Sequence, residues 1–117
     1  MRTTVVVVDD HEAFRESASA LLDAEGFAVV GEAADGAAAL EAIERLRPDV
    51  VLLDIQLPGL DGFAVAELLA AAPDPPRVVL ISSRDAAVYG SRLGAAPARG
   101  FLPKQELSGA ALAALVG

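Results

Sequence analysis

The chain has 117 residues, the size of one domain, and folding at that length buries about 65% of the unfolded surface, enough for a self-sufficient core. With 9 Lys and Arg against 17 Asp and Glu, the net charge is −8, which argues against a nucleic-acid surface because phosphate backbones are bound by clustered Lys and Arg. The absence of Cys excludes disulfides, thiolate metal sites and a cysteine nucleophile. Apolar residues reach 54%, but in pieces far short of the roughly 18 residues of a membrane span, and no cleavable apolar leader opens the chain. The expectation is a soluble, cytoplasmic, single domain over residues 1–117.

Val5 to Val8 is a wholly apolar, β-branched run, as expected of a strand buried on both faces. Glu12 to Glu25 follows with Phe14, Ala18, Leu21 and Leu22 on one helical face, and Gly26 stops it. A second strand runs from Ala28 to about Ala33. Asp35 can cap a helix that carries Leu40, Ile43 and Leu46 at helical spacing until Pro48. Val50 to Leu53 is a third buried strand, with Asp54 at its C-terminal end. Asp61 can cap the next helix, which runs to about Ala72 before the Pro73–Pro76 cluster breaks it. Val78 to Ile81 is the fourth strand, closing on Ser82 and Ser83. A helix from about Asp85 to Leu93 carries Gly90 and is followed by Gly94, both of which lower its propensity. Gly100 to Leu102 forms a short fifth strand, and Ser108 to Val116 a final helix.

Five strands alternating with five helices predict an α/β fold, a parallel sheet with helices on both faces. In such sheets ligands sit beyond the carboxyl ends of the strands, where strand order reverses. Those ends carry Asp9 and Asp10, Asp54, Ser82 and Lys104. If strands one and three are neighbours, three carboxylates converge. Two of them about 5 Å apart repel by about 3 kcal/mol at an effective dielectric near 20, so the cluster needs protons or a cation. An open all-oxygen site with room for water suits Mg²⁺ better than Ca²⁺. Lys104 is the one lysine in the chain, a compact point charge able to approach a carboxylate or phosphoryl oxygen. Ser82 adds a hydroxyl donor. Together these groups suit phosphoryl transfer, with a carboxylate as nucleophile forming an aspartyl phosphate.

The runs Val-Val-Val-Asp-Asp-His, Val-Leu-Leu-Asp-Ile-Gln-Leu-Pro-Gly-Leu-Asp-Gly, Leu-Ile-Ser-Ser and Gly-Phe-Leu-Pro-Lys occur in this order. They resemble the response regulator receiver domain of two-component signalling, and most of all the receivers that precede a helix-turn-helix output domain. The resemblance covers essentially the whole chain. It implies a flavodoxin-like, doubly wound five-stranded sheet in the order 2-1-3-4-5. It implies that Asp54 accepts a phosphoryl group from a histidine kinase or phosphotransfer protein. Mg²⁺ would be held by Asp9, Asp10, Asp54 and the backbone carbonyl of Gln56. Ser82 and Lys104 would contact the phosphoryl oxygens, making Asp54, Ser82 and Lys104 the catalytic set. Phe101 falls at the switch aromatic that turns inward as Ser82 moves. Gln56 and Arg84 match positions that tune phosphoryl lifetime. The implied role is a phosphoacceptor that catalyses its own phosphotransfer and dephosphorylation, rather than a conventional enzyme. Its output would pass through the surface of helix four, strand five and helix five to a downstream domain or protein, with a homodimer forming on phosphorylation left open. Departures are Leu57 where Met is usual, Pro97 where Gly is usual, and Gln105 where Pro is frequent.

Each residue alone has a plainer role. Asp at a strand end is most often a turn or cap residue, Ser82 could cap the helix that follows, and Phe101 could be core. His11, the one histidine, fits a partly exposed structural residue better than a phosphate carrier or metal ligand. The joint occurrence at four strand ends favours the site. Two other classes compete. A haloacid-dehalogenase-like phosphatase wants a second Asp two positions after its nucleophile, where Asp9 is followed by His11 and Asp10 by Glu12. A phosphorylation-independent binding module would not need the set Asp10, Asp54, Ser82 and Lys104.

Overall fold

The computed structural model describes every residue from Met1 to Gly117. Strands β1 (Thr4–Val8), β3 (Val50–Asp54) and β4 (Arg77–Ser82) are buried along nearly their whole length. Helices cover both of their faces, which is why these strands read as unbroken apolar runs rather than alternations. With β2 (Ala28–Ala33) and β5 (Gly100–Pro103) at the edges, they form one parallel sheet in the order β2-β1-β3-β4-β5. A bulge between Val5 and Val6 lets β2 skip Val30, which is left exposed.

Alternate side chains serve two cores. Val6, Val8, Val51, Leu53, Val78 and Leu80 enter one cluster, and Val5, Val7, Val50, Leu52, Val79 and Ile81 enter the other. Helix α1 (Glu12–Ala24) closes the second cluster with Ala18 and Leu22. Helices α2 (Gly36–Leu46) and α3 (Gly62–Ala70) close the first with Ala39, Ile43, Phe63, Val65 and Leu69. Truncating a side chain such as Leu22 to Ala would cost about 2–5 kcal/mol. Asp35 and Asp61 cap α2 and α3 as expected, accepting from the Ala38 and Ala64 amides at 2.8 and 2.9 Å.

The expected fourth helix is corrected by the structure. It is two pieces, α4 (Ala86–Tyr89) and α5 (Ser91–Ala95), so the chain has six α-helices rather than five. Gly90 separates them with φ +56° and ψ −134°, a conformation no right-handed helix contains. The last helix, α6 (Gly109–Val116), is capped by Ser108 and completes the second cluster with Leu112 and Val116. Pro103 ends β5, and the chain bends into a 3₁₀ turn at Lys104–Glu106. No helix is long and apolar enough to cross a membrane.

Register aligns the strand ends. Val8 lies opposite Leu53, Asp54 opposite Ile81, and Ser82 opposite Pro103, so the polar residues at the ends of four strands share one rim.

Candidate functional site

Asp54 occupies the last position of the central strand and is 2% exposed. Its Oδ1 accepts from the Gln56 amide at 3.1 Å, and its Oδ2 accepts from Lys104 Nζ at 3.4 Å. The loop after it folds back tightly, with the Gly62 amide donating to the Ile55 carbonyl at 2.8 Å. A Cβ on Gly62 would overlap the Asp54 carbonyl and lie 2.6 Å from Ile55 Cα, so only glycine fits there. Gly59, at φ +73°, turns the same loop. Burial pushes the Asp54 carboxyl up to about 6, the charge of Asp9 adds to it, and Lys104 and the Gln56 amide work against it.

Asp9 is wholly buried at the end of β1. Its Oδ1 accepts from the His11 amide at 2.8 Å, and its Oδ2 touches only the Lys104 ammonium. Lys104 therefore bridges Asp9 and Asp54. Burial disfavours its ammonium, but the two carboxylates outweigh that and raise its pKa. The ammonium also lies 4.7 Å from the centre of the Phe14 ring on α1. Asp10 stands at the rim with its side chain 38% exposed.

Ser82 is fully buried, and its role as a helix cap is corrected: α4 starts only at Ala86, after Asp85. Ser82 Oγ instead accepts from the Arg84 amide at 3.0 Å and bonds Tyr89 Oη at 2.6 Å. Phe101 is partly buried, packed against the first core with its ring centre 6.3 Å from that of Tyr89. Gln56 and Arg84 have exposed side chains at the lip.

The structure thus gathers Asp9, Asp10, Asp54 and Lys104, with Ser82 on the next strand. His11 sits beside this cluster with its side chain largely exposed. Its Nδ1 lies 3.1 Å from carboxylate oxygens of both Asp9 and Asp10, and one ligand atom from each of Asp9, Asp10, His11 and Asp54 falls within 4.8 Å of the others. Two residues were missed. Arg15 donates to the Asp9 carbonyl at 2.6 Å while pairing with Glu32, which buttresses the acidic end of β1 from behind. Tyr89 lines a cleft of about 520 Å³ with Asp10, Gln56, Pro58, Asp61 and Arg92. Being the one tyrosine was its only sequence signal.

Such a rim can present a carboxylate nucleophile beside an ammonium and can receive a hard cation among its oxygens. Comparison with known proteins points the same way. The family model of the response regulator receiver domain matches residues 5–116. The transcriptional regulatory protein NarL of Mycobacterium tuberculosis is 50% identical over 109 residues, which is 90% of this chain and 49% of NarL. The chain therefore spans about half the length of that relative. The solved signal receiver domain of NarL from the same organism superposes with a TM-score of 0.85 at 43% identity, covering 99% of this chain and 98% of that one. A chain of the CheX–CheY–BeF3–Mg²⁺ complex from Borrelia burgdorferi gives a TM-score of 0.81 at 26% identity, covering 97% of this chain and 86% of that one.

Proposed function

The chain belongs to the response regulator receiver domain family, and on that premise we propose that residues 1–117 form one receiver unit in which Asp54 accepts a phosphoryl group from a histidine kinase or phosphotransfer protein. The observation that carries this is the buried Asp54 carboxylate at the end of the central strand, in reach of a lone ammonium. An ionised Asp54 oxygen attacks phosphorus, and the bond from phosphorus to the donor atom breaks. Its electron pair leaves with the donor, an imidazole nitrogen or the acyl oxygen of acetyl phosphate. Lys104 and the Ser82 hydroxyl neutralise and orient the phosphoryl oxygens. The same groups then admit water for self-catalysed dephosphorylation, with Gln56 and Arg84 at the lip setting its rate.

The donor set fits Mg²⁺. Asp9, Asp10 and Asp54 offer carboxylate oxygens close together, one of them buried and held by nothing but an ammonium. A hard cation prefers these and the Gln56 carbonyl to the His11 imidazole, which is better placed as a donor bridging Asp9 and Asp10. When bound, the ion would supply charge neutralisation across the carboxylates and the transferring phosphoryl group. Arrival of that group is read at Ser82 and Phe101 and passed to the surface of α4, α5, β5 and α6. From there it reaches an output domain or partner protein in the cytoplasm. Contact of this acidic domain with nucleic acid or membrane is not part of the role.

Intact-mass measurement after incubation with acetyl phosphate and Mg²⁺ tests the assignment. The wild type should gain one phosphoryl group and Asp54→Asn none. Equal labelling of the variant would refute it, and turnover of a phosphomonoester would favour a phosphatase instead.

A further inference from the structure

Tyr89 is the point at which the phosphoacceptor rim meets the broken helical segment. Ser82 Oγ is enclosed and has two partners, the Arg84 amide at 3.0 Å and Tyr89 Oη at 2.6 Å. A serine hydroxyl carries one proton and two lone pairs. Turning Oγ about the Cα–Cβ bond toward Asp54 breaks the contact with Tyr89 whichever of the two hydroxyls donates. Both abandoned partners can be rewetted: Arg84 is exposed, and Tyr89 lines the open cleft. The switch at Ser82 is therefore opposed by two bonds, of which the one to Tyr89 is made by a side chain.

The ring of Tyr89 is held separately. It packs edge-on against Phe63 on α3 at 5.8 Å between ring centres and lies 6.3 Å from Phe101 on β5. Phe101 has no hydroxyl and cannot make this bond itself. Tyr89 is also the last residue of a four-residue helix, with the positive-φ Gly90 immediately after it. Moving Tyr89 breaks little helical structure and bends the chain at a glycine.

We propose that Tyr89 is a positioning residue that latches the Ser82 hydroxyl in its resting place and is released when that hydroxyl turns to a phosphoryl group on Asp54. Release of the Tyr89 hydroxyl frees its ring to shift between Phe63 and Phe101. The Ala86–Ala95 segment is thus driven from the rim through Tyr89, in parallel with Phe101. This inference rests on Asp54 being the phosphoacceptor, so its test must separate the two.

The probe is beryllofluoride with Mg²⁺, followed by backbone amide shifts in wild type, Tyr89→Phe, Ser82→Ala and the double variant, with Asp54→Asn as the control for the acceptor. Tyr89→Phe keeps the ring and removes only the latch. It should tighten beryllofluoride binding about fivefold, the equivalent of one ordinary hydrogen bond. Its free-state amides from Ala86 to Ala95 should already lie part-way to the mimic-bound positions. In the Ser82→Ala background the same substitution should change nothing. A Tyr89→Phe variant with wild-type affinity and free-state shifts would overturn the latch, as would an equal effect with Ser82 absent. If wild type and Asp54→Asn respond alike to beryllofluoride, the phosphoacceptor assignment falls and the latch with it.

Discussion

Replacing Asp54 by Asn should stabilise the metal-free protein. The wild-type carboxyl is moved from 3.8 to about 6 by burial and by Asp9, and such a displacement corresponds to a ceiling of about 3 kcal/mol against the ionised form at neutral pH. Asn removes the charge and keeps one oxygen. That single oxygen cannot serve both the Gln56 amide and Lys104, which trims the expected gain to about 1–2 kcal/mol. The sign follows from proton counting. Between about 3.8 and 6 the folded state binds more protons at Asp54 than the unfolded state does. Wild-type stability therefore falls as pH rises through that window, and the penalty is complete above it. Urea denaturation in EDTA should show the Asp54→Asn variant more stable by that margin at about pH 8, or about 4–8 °C in Tm. The advantage should vanish near pH 4. A variant no more stable at the higher pH, or a difference that ignores pH, would refute the electrostatic account of the site.

Mg²⁺ should bind the folded state and add about 2.7 kcal/mol at a hundredfold excess over its Kd, with Asp10→Asn shifting that dependence to higher Mg²⁺; an unchanged Tm at saturating ion would refute it. Gly62→Ala should cost about 1–3 kcal/mol and slow phosphorylation, because its Cβ meets the Asp54 carbonyl and Ile55 backbone rather than a side chain that can yield; thermal melts matching wild type would show that the loop gives way. Lys104→Arg should still permit phosphorylation of Asp54 but uncouple it from the amides between Ala87 and Phe101, since a forked guanidinium cannot take the compact position between Asp9, Asp54 and the Phe14 ring. A full wild-type shift pattern with beryllofluoride would remove Lys104 from the switch.

The strands and the rim were legible because each depends on residues adjacent in sequence. Val5–Val8 and Val50–Leu53 are apolar throughout because both faces are covered, and the polar residue ending each run must lie at the carboxyl rim of the sheet. Phe101 and Lys104 were legible only in part. Their odd spacing would put them on opposite faces of an unbroken strand, but Pro103 ends β5; past the bend Lys104 reaches Phe14 on α1 while Phe101 packs against the first core. What stayed hidden depends on how the chain turns just after a strand, bringing back side chains six and seven residues on, which no periodicity encodes. Arg15, in the first turns of α1, reaches the Asp9 carbonyl at the end of β1, and Tyr89, at the end of α4, sets its hydroxyl on Ser82. Propensity lowers the helix at Gly90 and Gly94 alike, and cannot say that the first breaks it while the second sits inside α5.

The break at Gly90 leaves α4 with 4 residues and α5 with 5, far below the roughly 12–15 at which an isolated helix becomes even marginally stable. Neither piece holds itself up. Their order is lent by Tyr89, Leu93 and Ala96 resting on the first core. Opening of this stretch is therefore governed by a handful of contacts rather than by the global unfolding of the sheet, and its amides should exchange with solvent well before those of β1 or β3. A protein that recognises this face meets an ensemble, and its apparent affinity is scaled by the fraction of molecules in which the two short helices are docked in the form it needs. Small changes at Leu93 or Ala96 can then retune recognition without touching the acidic rim.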